Sequence, residues 1–306
     1  MKRLGLLVSG GGTNMEAIVE ACRDGVLAGL AEPALVISNK RGAGALERAQ
    51  RLGVPAEVVP HAAFASREEH ERAMLELLQG RGVGLVVLAG YMRILTPVFL
   101  EGAPGPVLNI HPVPTHRYQG PAGYEDLWER RAQLGVNYPT VHLVDSGVDT
   151  GQVVLFGLPY RIDDVESLEE LRQRGLAEEH QLFPEAVRFM CVSPHLVFQD
   201  LEASTSELSG ISHLSLDLME AAIEAKKTPG TKILCLAQRD WQGTGYRVVL
   251  EGGEVEREAK LGWLAGTERA AFTRLLLDLL GLGRDLAVEF VYEGIPIELT
   301  DTRPSG

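Results

Sequence analysis

Only three cysteines, Cys22, Cys191 and Cys235, occur in 306 residues. An odd number at wide separation gives neither a disulfide framework nor the paired spacing of a zinc site, so reduced, mostly buried thiols and no metal are expected. No apolar run approaches the roughly 20 residues that span a bilayer. The start, Met1-Lys2-Arg3 with five apolar or glycine residues before Ser9, is too short for a secretory h-region. Positive charge is in deficit: 29 Lys and Arg face 42 Asp and Glu, a formal net charge of −13. Nucleic acid or an anionic membrane would need a basic stripe, so neither is expected as a partner, and a cytoplasmic location is. With 45% hydrophobic and 23% charged residues the chain reads as globular, long enough for one large and one small domain.

A dinucleotide fingerprint is also missing. Gly10-Gly11-Gly12 follows the apolar run Leu4 to Val8, but Met15 stands where a third glycine is wanted. Ser38-Asn39-Lys40-Arg41, after the next expected strand, has no carboxylate for a ribose hydroxyl. Backbone amides of a glycine-rich turn at a helix start form an anion seat without any lysine, and Thr13-Asn14-Met15-Glu16 continues as such a helix, with Thr13 placed to cap it. A plain strand-to-helix turn is the other reading of these glycines.

Apolar runs at 4–8, 35–38, 56–59, 85–89, 107–110, 140–144 and 152–156 read as strands, and amphipathic stretches at 13–24, 43–52, 67–80 and 167–189 as helices. This alternation predicts an α/β fold, a mostly parallel twisted sheet covered on both faces, with 107–110 as a central strand. From Leu201 to Gly210 the chain is polar and serine-rich, as a linker is. Beyond it come an expected helix at 214–226, strands at 231–237 and 245–250, a strongly apolar helix at 268–280, and strands near 286–292 and 295–299. Asp240-Trp241-Gln242-Gly243 reads as a hairpin turn. The division is 1–200 as the main domain and 201–306 as a small α+β accessory domain. The 268–280 helix packs on its own sheet or forms a homodimer contact.

Leu108-Asn109-Ile110-His111-Pro112 and Val141-His142-Leu143-Val144-Asp145-Ser146-Gly147-Val148-Asp149-Thr150-Gly151 carry the chemistry. Side chains alternate along a strand, so Asn109 and His111 share one face at its end. An amide can donate to an oxyanion, an imidazole moves protons near neutral pH, and a carboxylate on the glycine-bracketed second segment can hold or charge that imidazole. Together they suit acyl transfer. Taken alone, Asn and His beside proline also suit turn chemistry.

Over about two hundred residues the chain resembles the glycinamide ribonucleotide formyltransferase family. The resemblance rests on these two segments and on Val8-Ser9-Gly10-Gly11-Gly12-Thr13-Asn14, Ala63-Phe64-Ala65-Ser66-Arg67-Glu68 and Leu88-Ala89-Gly90-Tyr91-Met92-Arg93-Ile94-Leu95, in family order. It implies a Rossmann-like formyltransferase fold and 10-formyltetrahydrofolate as co-substrate. Asn109, His111 and Asp149 would be the catalytic trio, with His111 protonated beside the oxyanion. Met92, Arg93, Ile94, Leu95 and Val144 would meet the folate pterin, and Arg67 its glutamate tail. Gly11, Gly12, Thr13 and Asn14 would grip the ribonucleotide phosphate, and Glu179 the substrate. For Arg67 a solvated helix-start arginine is the alternative, and for Glu179 a solvated helix face.

One stretch departs from the family. Val113-Pro114-Thr115-His116-Arg117-Tyr118-Gln119-Gly120 replaces the small residue, two leucines and proline expected after Asn-Ile-His-Pro. His116 and Arg117 are exposed loop charge or address a different anion. Formyl transfer to another amine such as an amino sugar nucleotide, hydrolysis of formyltetrahydrofolate, and a non-catalytic folate or nucleotide-binding module therefore stay open.

Overall fold

The computed structural model describes residues 1–115, 118, 120, 123–192, 232–240, 243–251, 256–262, 287–292 and 295–297. The first half of the chain alternates strand and helix: β1 (Lys2–Val8), α1 (Thr13–Asp24), β2 (Ala31–Ser38), α2 (Gly44–Arg51), β3 (Ala56–Val58), α3 (Arg67–Gly80), β4 (Leu85–Leu88), α4 (Pro97–Gly102) and β5 (Val107–His111). Then come α5 (Tyr124–Leu134), β6 (Val136–Asn137), β7 (Thr140–Leu143), β8 (Val153–Phe156), β9 (Tyr160–Arg161) and α6 (Leu168–Val192). All seven strands expected here form, and they join in one sheet of order β3-β2-β1-β4-β5-β7-β8. The pairs from β3 to β5 are parallel, while β7 and β8 add antiparallel. The sheet is thus mostly parallel, and β5 is an interior strand one place from the middle.

Strand period two sorts the core into two layers. Leu4, Leu6 and Val8 of β1 pack with Met15, Ile18 and Val19 of α1, Ala45 and Ala49 of α2, and Leu182 and Phe183 of α6. Leu7, between them, joins Met74, Leu75 and Leu78 of α3 and Phe99 of α4 on the opposite face. Helices on both faces leave the strand ends as the open edge. The chain runs outward from β1 through β2 to β3, then returns to the other side of β1 with β4, so the topological switch lies between β1 and β4. The loops leaving those two strands, Ser9 to Gly12 and Ala89 to Thr96, face the crevice where ligands of open α/β sheets bind. They are tied together: Ser9 N–H donates to Gly90 O at 3.0 Å, and Met92 N–H to Ser9 Oγ at 2.9 Å.

Four expectations change. Thr13 does not cap α1; Gly12, at φ 81, holds that position with no side-chain cap, and Thr13 is the first helical residue. Helices α4 and α5 were not anticipated, because flanking Pro and Gly at 97, 102, 120, 121 and 123 read as loop punctuation. Cys22 and Cys191 are only half-buried, and Cys235 alone is buried. Burial pushes the Cys22 thiol up to about 12, with Cys191 nearby adding to the rise.

In the tail, β10 (Lys232–Asp240), β11 (Gly243–Glu251), β12 (Glu256–Gly262), β13 (Ala287–Tyr292) and β14 (Ile295–Ile297) form a separate sheet of order β12-β11-β10-β13-β14. Asp240 pairs antiparallel with Gly243, while Trp241 and Gln242 of the expected turn lie outside the described residues. Strand β12 was unforeseen. The linker at 201–210, the helices at 214–226 and 268–280, and residues His116 and Arg117 lie outside the described residues. Among the described residues no helix is long and apolar enough to cross a membrane.

Candidate active site

Asn109 and His111 project from one face of β5, two residues apart. Antiparallel pairing with β7 sets His142 directly across from Asn109 and Thr140 across from His111. The loop from Val144 to Gln152 then folds Asp149 back over this pair. Asp145 Oδ1 organises the turn by accepting from Gly147 N–H at 3.0 Å and Thr150 Oγ1 at 2.7 Å. Asp149 itself takes φ 54, a left-handed conformation that among L residues suits Asp and Asn best.

The Asp149 carboxylate sits at the centre. Its Oδ2 lies 3.7 Å from His111 Nδ1 and its Oδ1 3.3 Å from His142 Nε2. Asn109 Nδ2 donates to Oδ1 at 3.4 Å, and Gly120 N–H donates to Oδ2 at 3.0 Å. Burial pushes the Asp149 carboxyl up, but the His142 hydrogen bond, the charges of His111 and His142 and the Gly120 amide outweigh it and hold the group below the usual carboxylate range. For His111 the balance differs. Burial pushes its pKa down, Asp149 pulls it up, His142 lowers it again, and the net result lies below 6.5. Burial thus opposes the imidazolium at His111 and the Asp149 carboxylate favours it. His111 is buried, and its Nε2 has no hydrogen-bond partner.

His142, Gly120 and Tyr124 are the residues sequence reasoning missed. His142 Nδ1 reaches Leu143 O at 2.8 Å, and that nitrogen must carry the hydrogen because a carbonyl only accepts. Its Nε2 is 3.2 Å from Asn109 Nδ2. A polar residue in the apolar run 140–144 was the available signal, but antiparallel register was needed to show which face it takes.

A second cluster lies where α1, α5 and α6 meet. Glu179 is buried and accepts from Asn14 Nδ2 at 2.7 Å and, closely, from the Tyr124 hydroxyl. Burial raises its pKa, with those two hydrogen bonds opposing. Gly175, one turn before Glu179, has no side chain because the Tyr124 ring occupies that place: a Cβ there would lie 2.3 Å from the ring. Among the described residues, Asn14 Oδ1 is buried with no partner. Changing Tyr124 to Phe leaves Asn14 as the carboxylate's remaining donor in this cluster. The expected result is a further rise in the Glu179 pKa and a loss of about 1–3 kcal/mol in urea unfolding at neutral pH, the usual cost of removing a donor from a buried charged acceptor.

On the other side of the crevice Met92 and Ile94 are 77% and 56% exposed, whereas Leu95 is buried. Arg93 is half-buried, and Arg67 is exposed as the first residue of α3, which Ser66 caps. Burial raises the pKa of Tyr91 while the charges of Arg93 and Arg67 both lower it, which places the two arginines around the same segment. Val144 is tied to β5 by its N–H, which donates to Val107 O at 2.8 Å.

A sequence model of the family described as formyl transferase matches residues 2–187. Phosphoribosylglycinamide formyltransferase of Haemophilus influenzae is 38% identical over 192 residues, which are 62% of this chain and 87% of that protein. The trifunctional purine biosynthetic protein adenosine-3 of Chironomus tentans is 36% identical over 191 residues, and the chain spans only 14% of its length. Among solved structures, glycinamide ribonucleotide transformylase 1 of Symbiobacterium toebii is 40% identical, with a TM-score of 0.59 over 62% of this chain and 88% of that one. Phosphoribosylglycinamide formyltransferase of Bacillus halodurans is 33% identical, with a TM-score of 0.58 over 65% and 100%. The likeness covers the sheet, the glycine loop and the Asn109–His111–Asp149 cluster together, and the chain belongs to the formyl transferase family.

Proposed function

We propose that the chain transfers the formyl group of 10-formyltetrahydrofolate to the amine of glycinamide ribonucleotide. The observation that carries this reading is the Nε2 of buried His111, unpartnered among the described residues and backed by the Asp149 carboxylate at Nδ1. The substrate amine attacks the formyl carbon, its carbonyl π bond opens onto oxygen, and a tetrahedral oxyanion forms. His111 takes the proton of the resulting ammonium and becomes imidazolium, a charge that Asp149 and the oxyanion both favour. Asn109 donates to the oxyanion by exchanging its 3.4 Å contact with Asp149, the longer of its two. The imidazolium then protonates the folate nitrogen as the carbon–nitrogen bond to it breaks and the carbonyl reforms.

The ligand assignments follow the crevice. Gly11, Gly12, Thr13 and Asn14 hold the ribonucleotide phosphate at the start of α1, a helix of 12 residues whose dipole favours an anion. Asn14 and Glu179 border the sugar. Met92, Arg93, Ile94, Leu95 and Val144 receive the pterin, and Arg67 its glutamate tail. The second sheet is an accessory domain beyond the formyltransferase domain.

The test is formyl transfer followed by folate absorbance, with and without glycinamide ribonucleotide. Turnover that requires the ribonucleotide is the expected result. Folate consumption without it would replace this reading with hydrolysis, and absence of both would leave another amine acceptor or a binding protein.

A further inference from the structure

The glycine loop owes its shape to α2 as well as α1. Three consecutive carbonyls of the loop are taken by protein donors: Gly10 O by Ala45 N–H at 3.0 Å, Gly11 O by Arg48 Nε at 2.9 Å, and Gly12 O by Glu16 N–H at 2.9 Å. In a trans peptide the C=O of one residue and the N–H of the next point in opposite directions. Drawing these carbonyls back onto the helices turns the N–H groups of Gly11, Gly12 and Thr13 outward, and among the described residues no acceptor takes them. Successive outward amides make an anion-binding concavity. Gly12 completes it at φ 81, packed so tightly on α2 that a Cβ would sit 2.5 Å from Ala45 Cβ.

Two of the three ties are backbone, fixed by the helices themselves. The third is a side chain. Arg48 spans from α2 to the Gly11 carbonyl while its guanidinium also pairs closely with Glu16 of α1. Arg51, one turn later, pairs with the same Glu16 but has no bond to the loop. Arg48 is thus oriented at both ends of its guanidinium, and the Gly11–Gly12 peptide depends on it.

We propose that Arg48 is the positioning residue of the phosphate seat: it clamps the Gly11 carbonyl so that the Gly12 amide is already aimed at the anion. This rests on the function proposed above, because the anion is the phosphate of the amine substrate. Without the clamp the Gly11–Gly12 peptide is free to rotate, and its ordering must be met at each binding event. The reacting atoms are not touched, so the effect belongs in KM.

The measurement compares wild type, Arg48→Ala and Arg51→Ala with glycinamide ribonucleotide, with its dephosphorylated nucleoside, and with inorganic phosphate as competitor. For Arg48→Ala, KM for the ribonucleotide and Ki for phosphate should rise about tenfold, the scale of one lost preorganised contact, with kcat changed far less. The nucleoside kcat/KM and all Arg51→Ala constants should stay near wild type. An equal loss with the nucleoside would overturn the proposal in favour of a general structural role. Equal losses in Arg51→Ala would replace the clamp with simple positive charge, and an unchanged Arg48→Ala would remove it. If wild type fails to turn over the ribonucleotide, the proposed function falls, while calorimetric binding of inorganic phosphate to the three proteins still decides the role of Arg48.

Discussion

Alanine in place of His111 is expected to lower kcat by about two to four orders of magnitude, the range a positioned proton-transfer group supplies, with the apparent affinities for folate and ribonucleotide changed much less. Among the described residues of the Asn109–His111–Asp149 cluster, His111 Nε2 is the buried nitrogen without a partner, so the proton leaving the amine has no comparable acceptor there when it is removed. The ligand contacts proposed above lie elsewhere, at the loop after β1 and the segment after β4. Burial, the largest cause, lowers the His111 pKa, so wild-type kcat/KM should rise as His111 loses its proton and level off with an acid limb below 6.5. The alanine variant should lose that limb. A residual rate within tenfold of wild type, or an unchanged acid limb, would take His111 out of the chemistry.

Much of this site was legible before any coordinates. Short apolar runs located all seven strands of the main sheet, and strand alternation put Asn109 and His111 on one face, because both signals depend only on local sequence. The resemblance added Asp149. What local sequence does not encode is which segments meet. His142 reaches Asp149 because β7 pairs antiparallel with β5 in one particular register, and a shift of one residue would turn it to the other face. Gly120 ends the stretch 113–120 that departs from the pattern of the resembled family, and Tyr124 lies just beyond it, so neither pattern nor likeness pointed to them. Helix α5 is hidden for another reason, its acidic first turn, Glu125 and Asp126, being overshadowed by the proline and glycines before it. At His111 the nearby carboxylate is legible in the sequence, whereas the desolvation that lowers its pKa follows from packing and is not.

Asp149→Asn separates charge from shape at the centre of the cluster. Asparagine tolerates the left-handed φ of 54 and its amide oxygen can still accept from Gly120, so the loop keeps its path. The charge that stabilises an imidazolium on His111 is lost, and turnover should fall by about two orders of magnitude or more, as for loss of a group that stabilises charge in the transition state. The pH profile gives the sign. Asp149 raises the pKa of His111 against the burial that lowers it, so its removal lets that pKa fall further. The acid limb of the residual activity should move to lower pH than in wild type, opposite to the shift expected if burial were relieved instead. Stability gives an independent check. The Asp149 carboxyl titrates below its ordinary 3.8, so its charge stabilises the fold above that pH, and this contribution disappears as pH falls through the folded-state value. The variant should be less stable than wild type at neutral pH, and the difference should close at the acid end of a denaturation series. A stability difference that persists below that pH would mean that packing of the loop, rather than the carboxylate charge, accounts for the loss.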